Sequence, residues 1–239
     1  MIGIIVQARL GSSRLPSKVL KKIGCKKVID HVFDRLEKCK NADIVVLATT
    51  DNKKDEELVK WANKNQKNIY RGSENDVLSR YYNAAIKFNC DTIVRITSDC
   101  PFIDYEIVDN LIDVFKASNF DYVSNVHPPT YPDGLDVEIF SFESLSLANN
   151  SAKRNYEREH VTPYIWDKDN NFRQLNIKNK NDYSSLRFTL DTKQDLNFLR
   201  EVYKTLANEY FVLKDLISFV KNNEDKLLLN HHHKRNENF

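Results

Sequence analysis

Ile2-Gly3-Ile4-Ile5-Val6-Gln7-Ala8-Arg9-Leu10-Gly11-Ser12-Ser13-Arg14-Leu15-Pro16-Ser17-Lys18 is the stretch whose reading decides the fold. The apolar run Ile2 to Val6 predicts a first β-strand that ends directly in a basic loop. Gly11 lets the backbone approach an oxyanion, and the serines add hydroxyl donors. Arg9, Arg14 and Lys18 offset charge that backbone N–H groups only partly balance. Such a loop suits a polyanion, with a nucleoside triphosphate as the natural occupant. In a motif this short, the alternative is a plain turn at Leu15-Pro16 with solvated cations.

Outward from that stretch, β-branched apolar runs alternate with segments of helical period, the pattern of a mostly parallel sheet with helices on its faces. Strands are expected at 2–7, 44–49, 69–70, 92–97, 122–125, 136–140, 172–177 and 187–190. The near-continuous run Ile44-Val45-Val46-Leu47-Ala48 implies burial on both faces, hence a central position. Helical stripes are formed by Val28, Ile29, Val32, Phe33 and Leu36, and by Val77, Leu78, Tyr81, Ala85 and Ile86. Further helices are expected at 55–63, 105–116, 142–149, 155–166, 193–206 and 213–221, with Asp51 and Asp104 as N-caps. A long irregular loop is marked by Pro128-Pro129 and Pro132-Asp133-Gly134, and loops of that size in a compact domain are more often functional than idle.

The 239 residues suffice for one α/β domain, expected over 1–222, followed by a flexible tail over 223–239. His231, His232 and His233 in that tail read as solvated, because adjacent side chains do not converge on one ion. With 36 basic and 34 acidic residues the net charge is +2, so nucleic acid is not an expected partner and any anion site is local. Cys25, Cys39, Cys90 and Cys100 form no C-x-x-C pair, which argues against zinc or a redox dithiol and for reduced thiols. No signal-peptide pattern and no run of about 18 apolar residues is present, so the expectation is a cytoplasmic protein without membrane contact.

Two further stretches carry chemistry. In Arg95-Ile96-Thr97-Ser98-Asp99-Cys100-Pro101-Phe102-Ile103-Asp104 an apolar strand closes on an acidic residue and a proline turn. Ligands of open α/β sheets sit outside the carboxyl ends of the strands, so Asp99 is aimed at the same edge as the basic loop, while Asp104 is the better helix cap. In Arg187-Phe188-Thr189-Leu190-Asp191-Thr192-Lys193-Gln194-Asp195-Leu196, Asp191 stands at an expected strand end, and Asp195 reads as a surface or helix-dipole residue. Two strand-end carboxylates beside a phosphate loop point to Mg²⁺, a hard ion held by one or two carboxylates together with water and phosphate oxygens.

With Tyr70-Arg71-Gly72-Ser73, Asp76-Val77-Leu78 and Arg80-Tyr81-Tyr82 added, these stretches resemble the nucleotidyltransferases that activate bacterial surface sugars. The resemblance is to the spore-coat polysaccharide type of cytidylyltransferase, a relative of the enzyme that makes CMP-linked 3-deoxy-octulosonic acid, and it spans residues 1–206. It implies a Rossmann-like three-layer α/β/α nucleotide-diphospho-sugar transferase fold and a homodimer. It also implies CTP and Mg²⁺ as reagents, with CMP passed to a sugar, sugar acid or sugar phosphate for cell-envelope polysaccharide. On that resemblance Arg9, Ser13, Arg14 and Lys18 would hold the triphosphate; Gly11 and Ser12 of the same loop, with Gln7, Ala8, Thr97 and Ser98, are the further nucleotide-binding candidates. Asp99 and Asp191 would hold the metal, and Arg14, Lys18 and Asp99 would carry catalysis.

Arg71, Asp76 and Arg80 would lie near the base or ribose, an i, i+4 pair between Asp76 and Arg80 being the alternative. Asp133, Asp136 and His160 are placed on the acceptor side, His160 because an imidazole bonds a hydroxyl or phosphate near neutral pH; residues 157–160 equally read as a charged helix face. A glycosyltransferase that consumes a nucleotide sugar shares the general fold and the strand-end aspartates, but its donor has no triphosphate for three loop cations. A non-catalytic nucleotide-binding protein is the remaining alternative, and it would be expected to lack some of these residues.

Overall fold

The computed structural model describes residues 1–223; residues 224–239, with the run His231 to His233, lie outside the described residues. Strand β1 (Ile2–Gln7) buries Gly3 to Val6. After the basic loop, a short antiparallel ribbon of β2 (Lys22–Ile23) and β3 (Lys26–Lys27) turns the chain into α1 (Val28–Leu36). The stripe Val28, Ile29, Val32, Phe33 and Leu36 is buried, as helical spacing requires. Next come β4 (Ile44–Thr50), α2 (Glu56–Lys64), β5 (Asn68–Gly72), α3 (Val77–Lys87) and β6 (Thr92–Thr97). They lead into α4 (Tyr105–Lys116), β7 (Tyr122–Ser124) and β8 (Glu138–Ser141). The remainder is mostly helical: α5 (Phe142–Ser151), α6 (Asn155–His160), α7 (Pro163–Trp166), β9 (Gln174–Asn176), α8 (Lys193–Leu206) and α9 (Leu213–Asn222).

Seven strands form one sheet in the order β5-β4-β1-β6-β8-β7-β9. The first four are mutually parallel, β8 is antiparallel to β6 and β7, and β9 is parallel to β7. One core lies between the sheet and α1, α2, α4, α8 and α9, and a second between the opposite face and α3, α5 and α7. This is the expected three-layer α/β/α arrangement around a mostly parallel sheet. Gln7 pairs in register with both Ala48 and Thr97, so the carboxyl ends of β1, β4 and β6 share one edge. That edge is where such sheets bind ligands.

Four local expectations are corrected. Residues 187–190 form no strand, only a single bridge between Asp133 and Arg187. Their N–H groups bond to loops instead, Phe188 donating to Asp133 O at 2.7 Å and Leu190 to Asp99 O at 2.8 Å. The helix expected over 155–166 is two helices, because Val161 takes φ 72° and ψ −57° and Pro163 begins α7. Asp104 does cap α4, accepting the N–H groups of Glu106 and Ile107. Asp51 caps nothing in the corresponding place; Asn52 accepts from Lys54 N–H and caps a short 3-10 turn before α2. Asp195 is fully buried rather than at the surface, because Arg187 and the start of α8 surround it.

Candidate functional site

The basic loop is shaped by its own backbone before any ligand is considered. Ser17 N–H donates to Leu10 O at 3.2 Å, and Ser17 itself sits at φ 53°, the sharp corner from which Lys18 starts a 3-10 turn. The buried Asp55 carboxylate takes Leu10 N–H at 2.6 Å and the Thr50 hydroxyl, fastening the loop to the end of β4.

Across the edge, the turn after β6 is tied to the segment before α8. Asp99 O accepts both Leu190 N–H and the Thr189 hydroxyl, at 2.8 and 3.2 Å. Asp99 and Asp191 therefore hang from one backbone junction. Lys18 Nζ lies between them, 2.6 Å from Asp99 Oδ2 and 2.8 Å from Asp191 Oδ1, and Arg14 approaches Asp191 at 3.3 Å. Burial opposes ionisation of all three groups, but their mutual attraction overrides it. The Lys18 ammonium is held above its ordinary value, Asp99 is held below the usual carboxylate range, and Asp191 is lowered to about 2.

Behind this trio sits Arg187, only 9% exposed, whose guanidinium spans Asp133 at 2.6 Å, Asp191 at 2.7 Å and Asp195 at 3.1 Å. Asp195 in turn accepts the N–H groups of Asp191 and Thr192, each at 2.9 Å. Gly134 allows the loop carrying Asp133 to reach this hub. It sits at φ 100°, and a Cβ there would lie 2.7 Å from the Phe188 carbonyl carbon.

These elements enclose a cleft of about 1030 Å³, at the upper end of the range of about 300–1,000 Å³ common for small-molecule sites. Gln7, Ala8, Arg9, Gly11, Ser12, Ser13, Arg14, Lys18, Arg80, Thr97, Ser98, Asp99 and Asp191 all line it, as do Asp133, Asp136 and His160. Of the residues expected at the site, Arg71 and Asp76 lie outside this lining. Arg71 bonds Glu56 and the carbonyls of Thr50 and Asn52, while Asp76 caps α3 at Ser79 N–H and pairs with Arg158. Arg80 donates to Ser73 O at 2.9 Å rather than to Asp76. Its buried Nε and the Gln7 Oε1 find no protein partner on the cleft wall, the situation of groups that await a ligand or water.

Sequence reading missed several groups that shape the site. Arg187 opened a quoted motif and stands four residues before Asp191, the available signal for an ion pair. Arg95 interrupts an apolar strand, a signal for a buried pair, because a buried charge is costly unless partnered. Its partner is Glu138, directly opposite on β8, which also accepts the Tyr122 hydroxyl at 2.6 Å. Tyr156, Thr162 and Trp166 had no signal; they reach the cleft beside His160, whose imidazole burial holds below the ordinary histidine value.

Residues 3–226 match the family model described as cytidylyltransferase. The chain is 30% identical to the spore coat polysaccharide biosynthesis protein SpsF of Bacillus subtilis, covering 94% of this chain and 95% of that one. It is 33% identical to 3-deoxy-manno-octulosonate cytidylyltransferase 2 of Hydrogenovibrio crunogenus, over 62% of this chain and 60% of the relative. A solved cytidylyltransferase of Leptospira borgpetersenii superposes with a TM-score of 0.91 at 34% identity, covering 95% and 96% of the two chains. With the basic loop meeting the carboxylates of Asp99 and Asp191 in one cleft, and with likeness running nearly end to end, the chain belongs to the cytidylyltransferase family of nucleotidyltransferases.

Proposed function

We propose that this enzyme transfers CMP from CTP to a hydroxyl of a sugar-type acceptor, a sugar acid in the first instance, and releases pyrophosphate. In this reading residues 1–222 form the catalytic unit, working as a homodimer in the cytoplasm to supply cell-envelope polysaccharide. Among the described residues no helix is long and apolar enough to cross a membrane. The observation that carries the reading is the position of Lys18. A cation from the opening loop meets the carboxylates of Asp99 and Asp191 at 2.6 and 2.8 Å, inside the cleft of about 1030 Å³.

The site can do this chemistry through charge and position, as in phosphoryl transfer generally. Loop backbone N–H groups around Gly11, with the hydroxyls of Ser12 and Ser13, cradle the triphosphate. Arg9, Arg14 and Lys18 neutralise charge that grows on the departing pyrophosphate. The orphaned Gln7 Oε1 and Arg80 Nε face the nucleoside end. His160, Asp133 and Asp136 receive the acceptor, and an imidazole kept neutral by burial can accept the attacking hydroxyl's proton. Both Asp99 and Asp191 reach a single cationic centre, so the donor set fits Mg²⁺ completed by water and phosphate oxygens. When bound there, Mg²⁺ supplies electrostatic polarisation of the reacting phosphate.

The test is pyrophosphate release from each of the four nucleoside triphosphates, with and without Mg²⁺, offering 3-deoxy-manno-octulosonate and sugar phosphates as acceptors. CTP and Mg²⁺ together are expected to be required. Asp99→Asn is expected to lower turnover about 10²–10³-fold while leaving the circular dichroism spectrum unchanged. Near-normal release by that variant refutes the assigned role of Asp99. Light scattering checks the homodimer.

A further inference from the structure

The acceptor side of the cleft is walled by α6 and α7, which present Tyr156, His160, Thr162 and Trp166 to the cavity. With six residues, α6 is too short to hold its own shape in water, so its position must come from tertiary ties. At its start, Glu157 accepts the N–H groups of Lys153 and Arg154 at 3.0 and 2.9 Å. At its end, Val161 is fully buried at φ 72° and ψ −57°, with Thr162 N–H donating to His160 O at 2.9 Å. That is a γ-turn of the strained hand, unusual for a β-branched residue. It places two consecutive cleft-lining side chains, His160 and Thr162, on either side of a tight reversal. Glu138, paired with Arg95, lines the same cleft as Thr162 from the sheet side.

The third tie crosses between elements. Arg158 forks onto Asp76, Nε to Oδ1 at 3.0 Å and Nη2 to Oδ2 at 2.5 Å, while Nη1 donates to Asn149 O at 2.6 Å. Asp76 is the N-cap of α3, the helix that carries Arg80 on the nucleotide side. A bidentate guanidinium–carboxylate pair fixes orientation as well as distance.

We infer that Asp76 and Arg158 are positioning residues, a clamp that sets the acceptor wall of α6 and α7 against the nucleotide-side helix α3. This rests on the reading of the cleft as a cytidylyl-transfer site. Neither side chain touches a reacting atom; each acts through the placement of His160, Tyr156 and Trp166. Small displacements of positioned groups carry large rate penalties, on the order of 10² for about 1 Å.

The experiment uses the full chain and the variants Arg158→Ala, Arg158→Lys and Asp76→Asn. Asp76→Asn preserves a good cap for α3 while removing the charge pair. Arg158→Lys keeps the charge and loses the fork. Hydrogen exchange of residues 156–166 is expected to accelerate about tenfold or more in Arg158→Ala, with β1, β4 and β6 amides unchanged. With CTP and 3-deoxy-manno-octulosonate, the acceptor KM is expected to rise about tenfold and the CTP KM to stay within about twofold. Arg158→Lys and Asp76→Asn should fall between wild type and Arg158→Ala.

Unchanged exchange over 156–166 in Arg158→Ala overturns the clamp, whatever the acceptor proves to be. Faster exchange with acceptor KM and kcat both held at wild-type values overturns the positioning role. A wild-type enzyme that releases no pyrophosphate from CTP refutes the functional reading instead, and the exchange result then decides the clamp alone.

Discussion

Replacing Lys18 by Met removes the cation that Asp99 and Asp191 share, 2.6 and 2.8 Å away, and leaves two carboxylates facing each other. Asp191 is held at about 2 in the folded chain. Against an unfolded value of about 3.9, that gap of about two units is worth roughly 2.6 kcal/mol at neutral pH. Arg187 and Arg14 supply part of it and survive the substitution. Asp99, also held low, contributes in the same direction. The net expected loss is roughly 2–3 kcal/mol, somewhat less than the 3–5 kcal/mol typical of breaking a fully buried pair, since both carboxylates keep some solvent contact.

Both folded pKa values lie below their unfolded ones. Their stabilisation is therefore complete above about pH 4 and is lost as pH falls toward about 2. Urea unfolding of wild type and Lys18→Met, followed by circular dichroism, should show the full difference near neutral pH and a shrinking one below about pH 4. Millimolar Mg²⁺ without nucleotide should restore stability to the variant more than to wild type, because a ligand bound only by the folded state stabilises it by mass action. A variant as stable as wild type at neutral pH, or one whose deficit is the same at low pH, refutes the reasoning.

Arg187→Met strands three carboxylates, Asp133, Asp191 and Asp195, and is expected to cost about 3–5 kcal/mol, read as a lowered thermal midpoint. Gly134→Ala forces a side chain into φ 100° with its Cβ 2.7 Å from the Phe188 carbonyl carbon. It should lose about 1–3 kcal/mol and some activity, whereas Gly11→Ala, whose Cβ meets only the Glu74 carboxylate at 3.4 Å, should fold normally. Arg14→Ala, nearly half exposed in the cleft lining, should lower the melting temperature far less than Lys18→Met and lower kcat/KM for CTP about 10²-fold, measured by pyrophosphate release.

Much of the site was legible because the relevant side chains stand at the ends of strongly patterned strands. Residues 2–7 and 92–97 are strands with the bounds their apolar runs imply, so the loops at 9–18 and 97–101 had to fall at one sheet edge. Asp191 lines the cleft as expected, but for a partly different reason: the stretch before it is not a strand. It reaches the site because the two residues before it, Thr189 and Leu190, donate to the Asp99 carbonyl, a contact some ninety residues away in sequence. Arg71 and Asp76, expected near the base or ribose, lie outside the cleft lining. They lie near the site in sequence, but Glu56 and Arg158, from distant segments, engage them outside the cleft.

Local periodicity and loop chemistry therefore determined the layer architecture, the binding edge and the charges gathered there, since these follow from which residues neighbour one another along the chain. The tertiary structure alone decided which charges pair. An arginine can reach any carboxylate within several ångströms, and only packing selects Arg187 for Asp133, Asp191 and Asp195, Arg158 for Asp76, and Lys18 for Asp99 and Asp191.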